Sequence, residues 1–260
     1  MSDNELHYDN QVIHFLEDMW GDGFLSPGGA EEATLVVEGL DLRGKTVLDI
    51  GSGSGAIAVL LAGTLGAKKV IGIDVEEPVV NEARQRAAAA GLSDRIDIQL
   101  VEPGPFPFPE NSFDIVYSKD SIIHIPDKET LSRDVYRVLR PGGWFAASDW
   151  LISHDNTPSP EMQDYITAED LDFAMASPGR YTRALADVGF SQISLRNRNP
   201  WYREVAAGEL NRLTGPERSK LEQAHGETFI ADQVSTWSKM MPVLKSGEHC
   251  PHHIRGQKPS

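Results

Sequence analysis

The chain has 260 residues, of which 24 are basic and 39 acidic, giving a formal charge of −15. That balance is the reverse of what binding to DNA, RNA or an anionic membrane requires, so these partner classes are set aside. The single cysteine, Cys250, excludes an internal disulfide, no stretch is long and apolar enough to span a bilayer, and the acidic N-terminus lacks the features of a secretory signal; a cytoplasmic protein is expected.

Ile13, Phe15, Leu16, Met19 and Trp20 share one face of a helix, for which Asp9 is a suitable N-cap and Gly21 a stop. Tyr8 then stands at or just before the helix start. A Ser-Pro-Gly-Gly turn at 26–29 leads into a second short helix. From residue 45 onward strand and helix alternate. Strands are expected at 46–51, 69–75, 95–102, 113–118 and 144–150, with helices at 54–66, 77–91 and 127–139. Beyond Trp150 the alternation stops: residues 151–180 are acidic and punctuated by proline, and read as an insertion. A helix at 180–190 and a strand at 191–199 follow, then helices at 204–224 and 229–244 and a last strand at 252–257. Regular βα repetition with apolar strands implies an α/β fold, a doubly wound sheet covered by helices on both faces.

The stretch "VLDIGSGSG" places Gly51, Gly53 and Gly55 between a strand and a helix, where the backbone can turn tightly and approach a ligand. Asp74 ends the next strand about 20 residues on, where a carboxylate can take both hydroxyls of a ribose. A dinucleotide site wants a glycine at position six of the loop; here that position is Ala56, and Asp49 would repel a pyrophosphate while suiting an ammonium group. A nicotinamide cofactor is disfavoured by this spacing.

Four motifs in order, "VLDIGSGSG", "IGIDVE", "LVEPGPFPFPENSFDIVYS" and "LRPGGWFAASD", resemble those of the class I methyltransferases that use S-adenosyl-L-methionine, over roughly residues 45–150. The resemblance implies a Rossmann-like seven-stranded sheet with an N-terminal helical lid (1–44), a cofactor-binding methyltransferase domain (45–260) and substrate-side helical insertions about 151–180 and 203–245. It places the cofactor's amino-acid part at Asp49 and Gly51, its ribose at Asp74 and its adenine amine at Glu102, with Gly53, Val75 and Pro103 also binding the cofactor.

The N-terminal segment with "SKDSIIHI" is similar to the phosphoethanolamine N-methyltransferases and the related sarcosine and dimethylglycine N-methyltransferases. By that likeness Tyr8 and His124 form a catalytic pair, Leu25, Ser26 and Lys119 contact the cofactor, and Asp120 attracts a cationic amine. An ammonium must lose a proton before it can attack a methyl group, and an imidazole can accept it near neutral pH. Trp20, Trp150, Tyr165 and Trp201 could shelter a methylated ammonium by cation–π attraction, although tryptophans are more often core.

The chain departs from the phosphobase pattern at Trp150, Glu169 and Leu171, and keeps Lys239 near the position of the family's lysine. A glutamate where an arginine stands inverts the local charge and serves a phosphate poorly. Transfer to the nitrogen of a small-molecule amine is therefore expected, with phosphoethanolamine methylation or small-molecule C-, O- or S-methylation as alternatives, by a monomer or homodimer. A cofactor-sensing module without catalysis would not need a base. The run "HCPHH" at 249–253 packs too many ligands into five residues for one tetrahedral ion, and no metal is expected.

Overall fold

The computed structural model describes residues 8–260. Within them, β1 (Thr46–Ile50), β2 (Lys69–Asp74), β3 (Ile96–Leu100), β4 (Phe113–Lys119), β5 (Leu139–Asp149), β6 (Ser191–Asn197) and β7 (His252–Gln257) form one seven-stranded sheet in the order β3-β2-β1-β4-β5-β7-β6. The first five strands run parallel, and β7 lies antiparallel to both β5 and β6. Strand order reverses between β1 and β4, which opens a crevice at their carboxyl ends. The class I methyltransferase architecture expected from the motifs is thus present.

Alternate residues of each strand feed opposite layers. Leu48, Val116 and Phe145 pack with Val135, Leu139 and Leu185 on one side. Val47, Ile115 and Tyr117 pack with Leu61, Val80 and Ala83 on the other. These layers include α4 (Glu77–Ala89), α5 (Lys128–Val138) and α7 (Pro178–Asp187), together with the short α3 (Ala56–Val59), whose path continues into a single π-helical turn, Leu60–Thr64.

A third apolar cluster joins α1 (Asn10–Trp20), α6 (Pro160–Glu169), α8 (Asn199–Thr214), α9 (Arg218–His225) and α10 (Glu227–Ser246) through Phe15, Tyr165, Tyr202, Leu221 and Trp237. Asp9 caps α1 by accepting from the Val12 amide (2.9 Å), and Gly21 ends it. The single helix expected over 204–224 is two helices, because Gly215 and Pro216 interrupt it and a proline has no amide for the helical ladder. α2 (Gly29–Val36) is tied to the sheet by Glu32, which pairs with Arg198 (2.6 Å) and His253 (2.8 Å). No helix among the described residues is long and apolar enough to cross a membrane.

Candidate active site

A cavity of about 690 Å³ opens at the carboxyl ends of β1, β2 and β4. Its size suits a drug-sized ligand. One half is the glycine turn after β1: Gly51 and Gly53 adopt positive φ, and a side chain at Gly51 would collide with Ser121. Asp74 anchors this turn, accepting from the Gly53 amide (2.9 Å) and the Glu76 amide (3.1 Å). Burial raises the Asp74 carboxyl above its ordinary range, and these backbone donors oppose that rise. Val75, Glu102 and Pro103 line the same half, so the strand-end residues expected at a nucleoside do lie together.

Several buried polar atoms here have no protein partner: both Asp49 carboxylate oxygens, Ser52 Oγ and Glu76 Oε2. Asp49 lies beneath the glycine turn, fully buried, and does not itself line the cavity. Burial first, and the charge of Asp74 second, push its carboxyl up to about 8. Unpaired carboxylates of this kind suit a ligand that carries positive charge and hydroxyls. S-adenosyl-L-methionine, with a sulfonium, an ammonium and a ribose, fits that donor set.

The other half holds Tyr8, Leu25, Ser26, Lys119, Asp120, His124 and Asp172. β4 delivers Lys119 and Asp120 at its end, and Asp120 takes a positive φ of 55° as the chain leaves the strand. The Lys119 ammonium is buried and donates to Ser26 Oγ (2.6 Å), the Pro27 carbonyl (2.9 Å) and Asp120 Oδ2 (2.7 Å). Ser148 Oγ holds the second Asp120 oxygen at 2.8 Å. His124 ends a short 3₁₀ turn, Ile122–His124, and its ring lies 5.7 Å from that of Phe173. Burial raises the Tyr8 hydroxyl well above its ordinary range, and the charges of Asp74, Glu169, Glu76 and Asp120 add to the effect.

α1 is fastened to the glycine turn. Glu17 of α1 accepts from the Gly23 amide (2.9 Å) and pairs with Arg86 of α4 (2.8 Å), while Arg86 also donates to the Ser54 carbonyl (2.9 Å).

Of the aromatic residues expected around the acceptor, none lines this cavity. Trp20 donates its indole N–H to Glu209 (2.6 Å), which also receives that of Trp237 (3.0 Å). Trp201 stacks beneath Arg198 at 4.8 Å and closes on Gly28. Trp150 and the fully buried Tyr165 contact Phe173, which stands between them and His124. Glu76, Asp172 and Phe173 escaped sequence reasoning. Glu76 follows Asp74 by two residues and was within reach of it; the other two sit in the irregular segment after α6, where no periodicity marks an inward side chain.

The histidines of "HCPHH" each have a local partner: His249 Nδ1 lies 3.3 Å from the Leu151 carbonyl, His252 Nδ1 2.6 Å from that of Cys250, and His253 Nε2 2.8 Å from Glu32. Among the described residues no three potential ligands cluster as a metal site would require.

Residues 48–147 match a family model described as a methyltransferase domain. Residues 48–147 thus carry a methyltransferase domain of the class I kind that uses S-adenosyl-L-methionine. Phosphoethanolamine N-methyltransferase 1 of Arabidopsis thaliana is 31% identical over 246 residues, which is 94% of this chain and 49% of that protein. A structure of phosphoethanolamine N-methyltransferase 2 from Haemonchus contortus with S-adenosyl-L-methionine superposes with a TM-score of 0.88 at 25% identity, covering 99% of this chain and 59% of that one. A putative sarcosine dimethylglycine methyltransferase from Galdieria sulphuraria shares the fold, with a TM-score of 0.82, 20% identity and coverage of 96% and 99%. The chain spans about half the length of the curated phosphoethanolamine enzymes that it matches.

Proposed function

We propose that the protein transfers a methyl group from S-adenosyl-L-methionine to the nitrogen of a small cationic amine. One observation carries the reading: a single cavity joins the glycine turn and Asp74 to Tyr8, Asp120 and His124, and the charged residues among its mostly apolar lining are carboxylates apart from Lys119. Among the described lining residues Lys119 is the one lysine, it is already paired with Asp120, and there is no arginine. Such a field concentrates cations and opposes a phosphate.

When bound, the cofactor supplies an electrophilic methyl group on a sulfonium. The carboxylates of Asp74 and Glu76 would hold its hydroxyls, and Asp49, beneath the glycine turn, would offset its positive charge by giving up the proton that burial favours. Asp120, fixed by Lys119 and Ser148, attracts the protonated acceptor. His124 takes the proton that frees the nitrogen lone pair, and the Tyr8 hydroxyl, which burial keeps protonated, orients that nitrogen. Leu25, Ile125 and Leu131 line the same cavity and exclude water.

Similarity to phosphoethanolamine enzymes supports a second reading, in which the acceptor carries a phosphate. A panel of amines with and without phosphate, assayed for S-adenosylhomocysteine release, separates the two. Turnover of phosphate-free amines is expected. Activity confined to phosphobases would select the second reading. His124→Ala and Tyr8→Phe are expected to lower kcat by about 10²–10⁴-fold with cofactor affinity nearly unchanged, and a His124→Ala enzyme at the wild-type rate would refute the assignment of the base.

A further inference from the structure

Lys128, the first residue of α5, is fully buried although nothing in the transfer step calls for it. Lysine is almost never so placed unless its charge is satisfied. Its ammonium donates to the carbonyls of Ile122 (2.7 Å) and Ile125 (2.7 Å), with that of Ile123 at 3.5 Å. These three carbonyls bracket His124 on both sides. Their dipoles converge on one cation, as the carbonyl end of a helical turn attracts a positive charge.

A second set of contacts holds the cation itself. Asp149, fully buried at the end of β5, accepts from the Tyr181 hydroxyl at 2.5 Å, and the Lys128 ammonium lies 5.6 Å from the centre of the Tyr181 ring. Burial lowers the Lys128 ammonium and the negative charge of Asp149 works against that, while burial lifts the Asp149 carboxyl to about 7 and Lys128 opposes it. The opposite face of the turn is held by the Ala174 amide, which donates to the Ile123 carbonyl (3.1 Å) beside the Phe173 ring that packs on His124.

We propose that Lys128 is the positioning residue for His124: its buried ammonium gathers the carbonyls of residues 122, 123 and 125 so that the imidazole is presented to the acceptor side of the cavity. The proposal rests on the reading of His124 as the base. The chemical logic is that of a fixed supporting group behind a catalytic one, where a misplacement of about 1 Å can cost 10²-fold in rate. The lysine makes no contact with the reacting atoms and acts only through the turn.

A double-mutant cycle tests it. Lys128→Met is made alone and together with His124→Ala, and kcat, the acceptor KM, cofactor affinity by calorimetry and thermal melting are measured for each. Lys128→Met is expected to lower kcat at least tenfold with cofactor affinity within twofold of wild type, and to lower the rate of His124→Ala by less than twofold. Lys128→Gln, which keeps one amide donor, is expected to recover part of the loss and serves in the same cycle if the methionine variant does not fold. If His124→Ala alone turned over at the wild-type rate, the reading of the base would fail and the proposal with it. If His124→Ala were impaired while Lys128→Met kept wild-type kcat, or multiplied the His124→Ala loss, the proposal alone would fail. Failure of both Lys128 variants to fold would show that the clasp serves stability and would overturn the positioning role.

Discussion

Asp49→Asn should make the unliganded protein more stable and a poorer binder of its cofactor. The Asp49 carboxyl moves from 3.8 to about 8 on folding, because burial and the nearby Asp74 disfavour its charge. Between those values the folded chain holds a proton that the unfolded chain has lost, so stability falls as pH rises, by about 1.4 kcal/mol per pH unit. At pH 7 the accumulated cost has a ceiling of about 4 kcal/mol, and near pH 5 it is about 2 kcal/mol. An asparagine carries no such charge, and its amide brings two N–H donors to the site where the protonated acid brings one O–H, which offsets part of the gain. Urea denaturation should therefore show a gain of about 1–3 kcal/mol at pH 7 that shrinks toward pH 5, once relaxation of the surroundings is allowed for. Calorimetry should show S-adenosyl-L-methionine binding weakened at least tenfold, because the bound cation favours ionisation of the Asp49 carboxyl through the glycine turn and an asparagine cannot ionise. A variant that was less stable at pH 7, or equally offset at both pH values, would refute the assigned ionisation. Unchanged cofactor affinity would refute the role given to the carboxylate.

Glu32 has the opposite sign. Although burial opposes it, bonds from His253 and Arg198 hold its carboxyl at about 2 against an ordinary 4.5, so its contribution is present above pH 4.5 and is lost as pH falls through 2. Glu32→Gln should flatten the acid limb of the stability profile by about 3 kcal/mol, read by acid unfolding. Glu209→Ala removes the shared acceptor of two indole N–H groups, and a loss of about 2–4 kcal/mol in denaturation, with a shift in tryptophan fluorescence, is expected. Lys119→Met strips the cation from Asp120 and unfastens the turn at Ser26 and Pro27. A stability loss of about 3–5 kcal/mol in denaturation is expected, together with weaker cofactor binding by calorimetry.

The parallel half of the sheet was legible because its strands are short apolar runs separated by glycine turns, and period and punctuation agree from Thr46 to Asp149. The cavity was legible where residues follow strand ends, as Gly51, Asp74, Glu102 and Asp120 do, since topology alone carries those positions to one crevice. The aromatic residues were harder to place. Nothing in the sequence distinguishes a tryptophan facing a ligand from one whose indole N–H is spent on a buried carboxylate 189 residues away, as that of Trp20 is on Glu209. Lys128 was invisible for a similar reason. A lysine at the start of an amphipathic helix reads as a solvated charge, and only the fold of residues 122–125 turns three carbonyls toward it. The break between α8 and α9 was written plainly in Gly215 and Pro216 but lost to the apolar rhythm on either side.

The order of the sheet also constrains how the chain acquires its shape. β6 joins the sheet only through β7, which comes some 55 residues later and fits between it and β5. During synthesis β6 therefore has no seat until residues 252–257 have left the ribosome, and the exposed edge of β5 must wait for the same segment. Truncation before His252 would remove the partner of two strands at once. Of these seven strands, the one made last closes the sheet.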